Sequence, residues 1–129
     1  MSELYPEDHP VWRLFRETPG AGDLETGPDV YVREARSPAD NAVLRLCVQV
    51  GDDRLQRVRF RAFGCPASIA CGAWLASTLE GQGTEALSAV SAMTLAQSLQ
   101  LPATRRHCAV LAEEVAHGLH GMVRKNRRL

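Results

Sequence analysis

A chain of 129 residues with 45% hydrophobic and 23% charged content has the make-up of one globular domain around a single core. Lysine plus arginine and aspartate plus glutamate number 15 each, so the balance excludes a chain built overall to hold nucleic acid or a membrane surface. The opening MSELYPEDHP has no apolar signal core and no later run nears the ~18 apolar residues of a membrane span, so neither signal peptide nor span is expected and the setting is expected to be cytoplasmic. In such a reducing compartment Cys47, Cys65, Cys71 and Cys108 are expected to be free, metal-bound or catalytic rather than joined in disulfides.

One domain over residues 1–129 divides into a loop-rich N-terminal region (1–40), a hairpin (41–63) and a helical part (64–129). The stretch ETPGAGDLETGPD, residues 17–29, favours turns through its glycines and prolines, and VYVRE is predicted to be a short strand. SPADN, residues 37–41, is turn chemistry. In AVLRLCVQV the apolar Leu44, Leu46, Val48 and Val50 alternate with Arg45, Cys47 and Gln49, which predicts a half-buried strand with Cys47 on its polar face. After a turn at Gly51, Asp52 and Asp53, a second strand alternates Val58, Phe60 and Ala62 with Arg57, Arg59 and Arg61, a row expected to be solvated.

From Gly64 the sequence becomes helical. Pro66 suits a first helical position and Gly81 a stop, which puts Cys65 at the helix mouth. Residues 84–100 predict one or two short helices restarted near Ser91 and ended by Pro102. A last helix is predicted from near Thr104, its apolar stripe running Cys108, Leu111, Val115, Leu119 and Met122, with Glu113, His117, His120 and Arg124 on the solvated side. The basic tail RKNRR reads as an exposed helix end, and no nucleic-acid surface is expected.

Cys65 and Cys108 are thus each expected in a first helical turn, where unpaired N–H groups and the helix dipole favour thiolate over the ordinary pKa of about 8.5. His107 adds an imidazole beside Cys108, and soft sulfur with nitrogen suits zinc or an iron-sulfur cluster. Cys71 is six residues beyond Cys65, about 9 Å further along a helix on a different face, and is expected in the core.

From about Val43 to Lys125 the chain resembles an IscU/NifU-type iron-sulfur cluster assembly scaffold. RFRAFGCPASIA is similar to that family's Phe-Lys-x-Tyr-Gly-Cys-x-x-x-Ile-Ala segment, and LPATRRHCAVLAEE to its Leu-Pro-Pro-Val-Lys-Ile-His-Cys-Ser-x-Leu-Ala-Glu segment. The resemblance implies an α+β fold in which a small antiparallel three-stranded sheet packs against helices. It implies a non-enzymatic scaffold that receives sulfide from a cysteine desulfurase together with iron, holds a transient 2Fe-2S cluster and passes it to acceptor apoproteins. Matched by motif, Cys65, Cys108, His107 and Asp40 are the implied ligands, and no catalytic residue is implied.

Two departures qualify that picture. Where the family writes Ala-Cys-Gly-Asp, this chain has Arg36, Ser37, Pro38, Ala39 and Asp40, so the first ligand cysteine is missing and Pro38 stands in its place. In the segment that heat-shock chaperones read, Ala103 and Thr104 replace Pro-Val, which weakens the preset extended conformation and the expected chaperone contact. The alternative reading is a diverged relative that holds one zinc ion through the same four residues for regulation or protein interaction. A cysteine hydrolase built on Cys108 is disfavoured, since neighbours on a helix project about 100° apart and His107 is expected to point away from it.

Overall fold

The computed structural model describes residues 8–38 and 41–127. Within these residues the order is α1 (Pro10–Glu17), β1 (Val30–Arg36), β2 (Val43–Gly51), β3 (Arg54–Phe63), α2 (Pro66–Leu79), α3 (Ala86–Ala89), α4 (Ala92–Ser98) and α5 (Arg106–Arg127). The three strands form one antiparallel sheet in the order β1-β2-β3, and α2 and α5 pack against it and against each other. This is the α+β architecture expected.

The hairpin between β2 and β3 closes through Asp52 and Asp53, both left-handed at φ 52 and 62, a two-residue turn whose twist matches that of the strands. Aspartate tolerates that conformation better than most residues. Leu44, Leu46, Val48, Val58 and Phe60 are all buried and join the cluster formed with α2 and α5. Gly72 lets α2 lie directly on Phe60, because a Cβ there would come within 2.4 Å of the ring.

β3 would be an open edge, but other segments satisfy it. Phe60 N–H donates to Gly20 O and Gly22 N–H donates to Phe60 O. Gly81 and Gln82 exchange hydrogen bonds with Leu55, and the Glu80 carboxylate accepts from Val58 N–H at 2.9 Å. An edge closed this way offers no template for another strand.

Five expectations change. Residues 10–17 are helical rather than loop: Pro10 opens α1, the His9 ring accepts from Val11 N–H, and Val11 and Leu14 are buried. Cys47 does lie on the face shared with Arg45, yet it is 1% exposed, because Asp23 from the 17–29 segment crosses above it. Asp23 also pairs with Arg61 at 2.5 Å and Arg45 at 3.8 Å, and Glu80 pairs with Arg59 at 2.6 Å, so the arginine row is partly bridged rather than free in solvent. On α5, Val123 is buried in place of the expected Met122. On the other side of α5, His117 donates to Val90 O at 2.8 Å, and His120, 17% exposed, lies 3.4 Å from Glu85, so both fasten the α3 segment to α5 instead of facing only water.

Candidate functional site

Cys65 occupies the N-cap of α2, with extended backbone at φ −74 and ψ 167, directly before Pro66 at the first helical position. Gly64 makes this entry possible. Its φ of +148 strains any L-residue, and a Cβ there would sit 3.1 Å from both Ala42 Cβ and Ser68 Oγ. The same closeness places Ala42 beside the entry to α2. Val43 pairs with Phe63, so the residues just before β2 lie beside Gly64 and the approach to Cys65.

Cys108 arrives from the other direction. Ala103–Arg105 form a 3-10 turn, α5 begins at Arg106, and Cys108 lies in its first turn facing inward at 1% exposure. The Cys65 and Cys108 sulfurs stand 3.9 Å apart. Two thiolates bound at about 2.3 Å to one tetrahedral metal would be about 3.8 Å apart, so the pair already has the bite of a single metal centre. His107 Nε2 lies 3.7 Å from Cys108 Sγ. That corrects the expectation that neighbouring positions keep ring and thiol apart, since side-chain torsions swing the imidazole back to the sulfur.

Sequence reasoning missed a fourth group. Ser68, 3% exposed, places its hydroxyl 3.4 Å from Cys108 Sγ and 3.6 Å from Cys65 Sγ, bridging the two thiols from below. Its only sequence signal is its place three residues after Cys65, in the first turn of the same helix.

The electrostatics divide the pair. The Cys65 thiol is drawn down to about 4, chiefly because Cys108 donates its S–H to it, with further donation from the Ser68 hydroxyl and the backbone N–H groups of Ser68 and Ala67. Cys108 moves the opposite way, because it supplies that hydrogen bond and because burial opposes its charge. We assign the negative charge to Cys65, the half-buried partner at a helix N-terminus. Cys71 is fully buried in the core and burial pushes its thiol up, as its helical offset predicts for a packing residue.

Asp40 lies outside the described residues. Pro38, just before that gap, is exposed. Among the described residues no three histidine, cysteine, aspartate or glutamate side chains stand together as a preformed site for a metal ion. The geometry therefore joins Cys65, Cys108 and His107 pairwise and leaves Asp40 undetermined. Two thiol sulfurs and an imidazole nitrogen remain a soft donor set suited to iron or zinc.

Comparison with known proteins places this arrangement. The family model for the NifU-like N terminal domain matches residues 8–127. Iron sulfur cluster assembly protein 1, mitochondrial, of Schizosaccharomyces pombe is 34% identical over 95 residues, which span 72% of this chain and 50% of that protein. The iron-sulfur cluster assembly scaffold protein IscU of Rickettsia prowazekii is 32% identical over 79 residues, 60% of each chain. The chain thus spans about half to three fifths of the length of these relatives. In fold, it is similar to a protein from Fervidobacterium islandicum described as an iron-sulfur cluster assembly scaffold protein for the SUF system. That likeness has a TM-score of 0.73 and 14% identity, covering 92% of this chain and 98% of the other. A NifU-like N-terminal protein from Brucella abortus gives a TM-score of 0.60 at 17% identity, covering 92% and 82%. With the model matched across both helix mouths and the sheet between them, this chain belongs to the NifU-like N-terminal domain family.

Proposed function

We propose that this chain is a scaffold on which iron and sulfide are assembled into a cluster that then leaves for acceptor apoproteins. The observation that carries the reading is the 3.9 Å separation of the Cys65 and Cys108 sulfurs at two helix mouths, the bite of one tetrahedral iron. The names of the 34% and 32% identical relatives support iron-sulfur cluster assembly as the use of that bite.

On this reading Cys65 and Cys108 hold one iron of a 2Fe-2S unit, and the bridging sulfides complete its tetrahedron. The second iron takes His107, with Asp40 as its further ligand. A cysteine desulfurase supplies the sulfur. The missing cysteine leaves that second iron short of a thiolate, so the cluster is held loosely, which suits cargo. Residues 103–105 are folded into a helical turn rather than an extended strand, so a chaperone that reads extended peptide is not proposed as a partner. The zinc reading gains no separate support, since it would use the same Cys65, Cys108 and His107, which among the described residues do not stand together as a preformed three-donor site. A reducing compartment such as the cytoplasm is the proposed setting, because Cys65 works only as a free thiolate.

Anaerobic reconstitution with ferrous iron and sulfide tests the reading. A visible-region cluster spectrum with about two irons per chain is the expected result. Iron that washes out with no spectrum, in protein that retains zinc stoichiometrically, would contradict it.

A further inference from the structure

Ser68 is the third residue of α2, three positions after the cap residue Cys65 and so on the same side of the helix. Its side chain is 3% exposed, and among the described residues its hydroxyl meets two atoms only, Cys65 Sγ at 3.6 Å and Cys108 Sγ at 3.4 Å. With the sulfurs 3.9 Å apart, the three atoms form a nearly equilateral triangle.

The edges of that triangle are those of one face of a metal tetrahedron. Two thiolates at about 2.3 Å and an oxygen at about 2.1 Å from a common tetrahedral metal lie about 3.8 Å apart sulfur to sulfur and about 3.6 Å sulfur to oxygen. Each observed edge falls within about 0.2 Å of its ideal value. Among the described residues no third histidine, cysteine, aspartate or glutamate completes a face with the two thiols, so the serine oxygen is the donor that the fold places there.

We infer that Ser68 is an iron ligand: before sulfide arrives, a single ferrous ion is held on the face formed by Cys65 Sγ, Cys108 Sγ and Ser68 Oγ. This rests on the scaffold reading and adds to it the form in which the first iron is captured.

Three protein donors on one face, with the remaining positions open, hold ferrous iron while leaving room for further ligands. Two thiols alone would give a two-point hold, and the hydroxyl makes it three without the missing cysteine. When the bridging sulfides bind, an iron–sulfide bond forms and the iron–oxygen bond breaks. The exchange is a substitution at the metal in which the hydroxyl keeps its proton and no electron moves. The neutral oxygen is the donor that gives way, because it is harder and more weakly held than either thiolate.

The test titrates ferrous iron, without sulfide, into the whole chain under anaerobic conditions at pH 8, free of thiol reductant, and counts the sulfur neighbours of bound iron by X-ray absorption. The wild type is expected to bind one iron per chain with two sulfur neighbours and lighter atoms in the other positions. Ser68→Ala is expected to bind it at least about tenfold more weakly. Ser68→Cys is expected to bind it more tightly, with three sulfur neighbours. A hydroxyl that acted only by hydrogen bonding to Cys65 would give the reverse in Ser68→Ala, since a thiolate relieved of that bond is the more basic ligand. Unchanged or tighter iron binding in Ser68→Ala therefore overturns the inference, and so do two sulfur neighbours in Ser68→Cys, because residue 68 then does not reach the metal. Circular dichroism verifies that each variant is folded, and the nearly isosteric Ser68→Cys carries the test if Ser68→Ala does not fold. Reconstitution with sulfide separates the two readings. A wild type that assembles a cluster yet takes up no iron beforehand, or takes it up regardless of residue 68, defeats the inference alone, whereas one that takes up neither iron nor cluster defeats the scaffold reading itself.

Discussion

Cys65 holds its charge because three kinds of donor point at one sulfur: the Cys108 thiol, the Ser68 hydroxyl and the first N–H groups of α2. A thiolate with its pKa lowered to about 4 keeps its alkylation rate nearly constant as pH falls from 8 to about 5, whereas an ordinary thiol slows about tenfold per unit below 8.5. Iodoacetamide kinetics followed by peptide mapping should show that flat profile at Cys65 and no matching reactivity at the buried Cys71 and Cys108. Ser68→Ala removes a donor, so the inflection for Cys65 should move upward. An unchanged profile in that variant would mean that the hydroxyl serves packing only. The two cysteines and His107 were legible in the sequence because cap chemistry and motif spacing mark helix mouths. Ser68 was not, since a serine in a first turn is commonplace and its value comes from Cys108, forty residues away, descending onto it.

At the scale of elements, the strands and α5 followed the apolar periods of two and 3.6 and α2 was bounded by Pro66 and Gly81, while the covering segments gave no such signal. α1 escaped notice because, although Val11, Trp12, Leu14 and Phe15 give it an apolar side, it is only two turns long and runs straight into the turn-rich 17–29 segment, and its place is decided by contact with α2. Cys47 misled for a related reason: alternation assigns a face but cannot say that Asp23 will lie over it. Glu80 shows what such cover contributes. Its carboxylate ties the β3 edge at Val58 to the Arg59 side chain, and hydrogen bonding holds it below the usual carboxylate range. Glu80→Ala should lower unfolding stability by about 1 kcal/mol in a urea titration, with the Cys65 alkylation profile unmoved. Cys71 belongs to the same layer of packing. Cys71→Ala should cost roughly 1 kcal/mol and leave iron loading intact. Its thiol is raised in the fold above its unfolded value of about 8.5, so the stability it contributes is complete below that pH and declines as pH rises past it. Urea midpoints from pH 7 to 10 should therefore fall more steeply above about 8.5 for the wild type than for Cys71→Ala.

For the whole molecule, one geometric fact organises the rest: the sheet register and the packing of α2 against α5 bring two helix mouths to a common point. The pairing of Val43 with Phe63, with Ser37 N–H donating to Ala42 O, also brings Ser37 and the adjoining Pro38 toward the same end of the fold. Pro38→Cys should then lengthen the lifetime of a reconstituted cluster several-fold by supplying a third thiolate, measured as the decay of visible absorbance after chelator addition. Equal decay in parent and variant would show that the turn does not deliver residue 38 to Cys65. The central claim, that Cys65 and Cys108 together hold iron, is tested most directly by anaerobic iron and sulfide reconstitution of the wild type beside Cys65→Ala and Cys108→Ala, with iron and sulfide counted per chain. About two irons and two sulfides in the wild type, and near none in either variant while each remains folded, is the expected result. Equal iron and sulfide in all three proteins would contradict it.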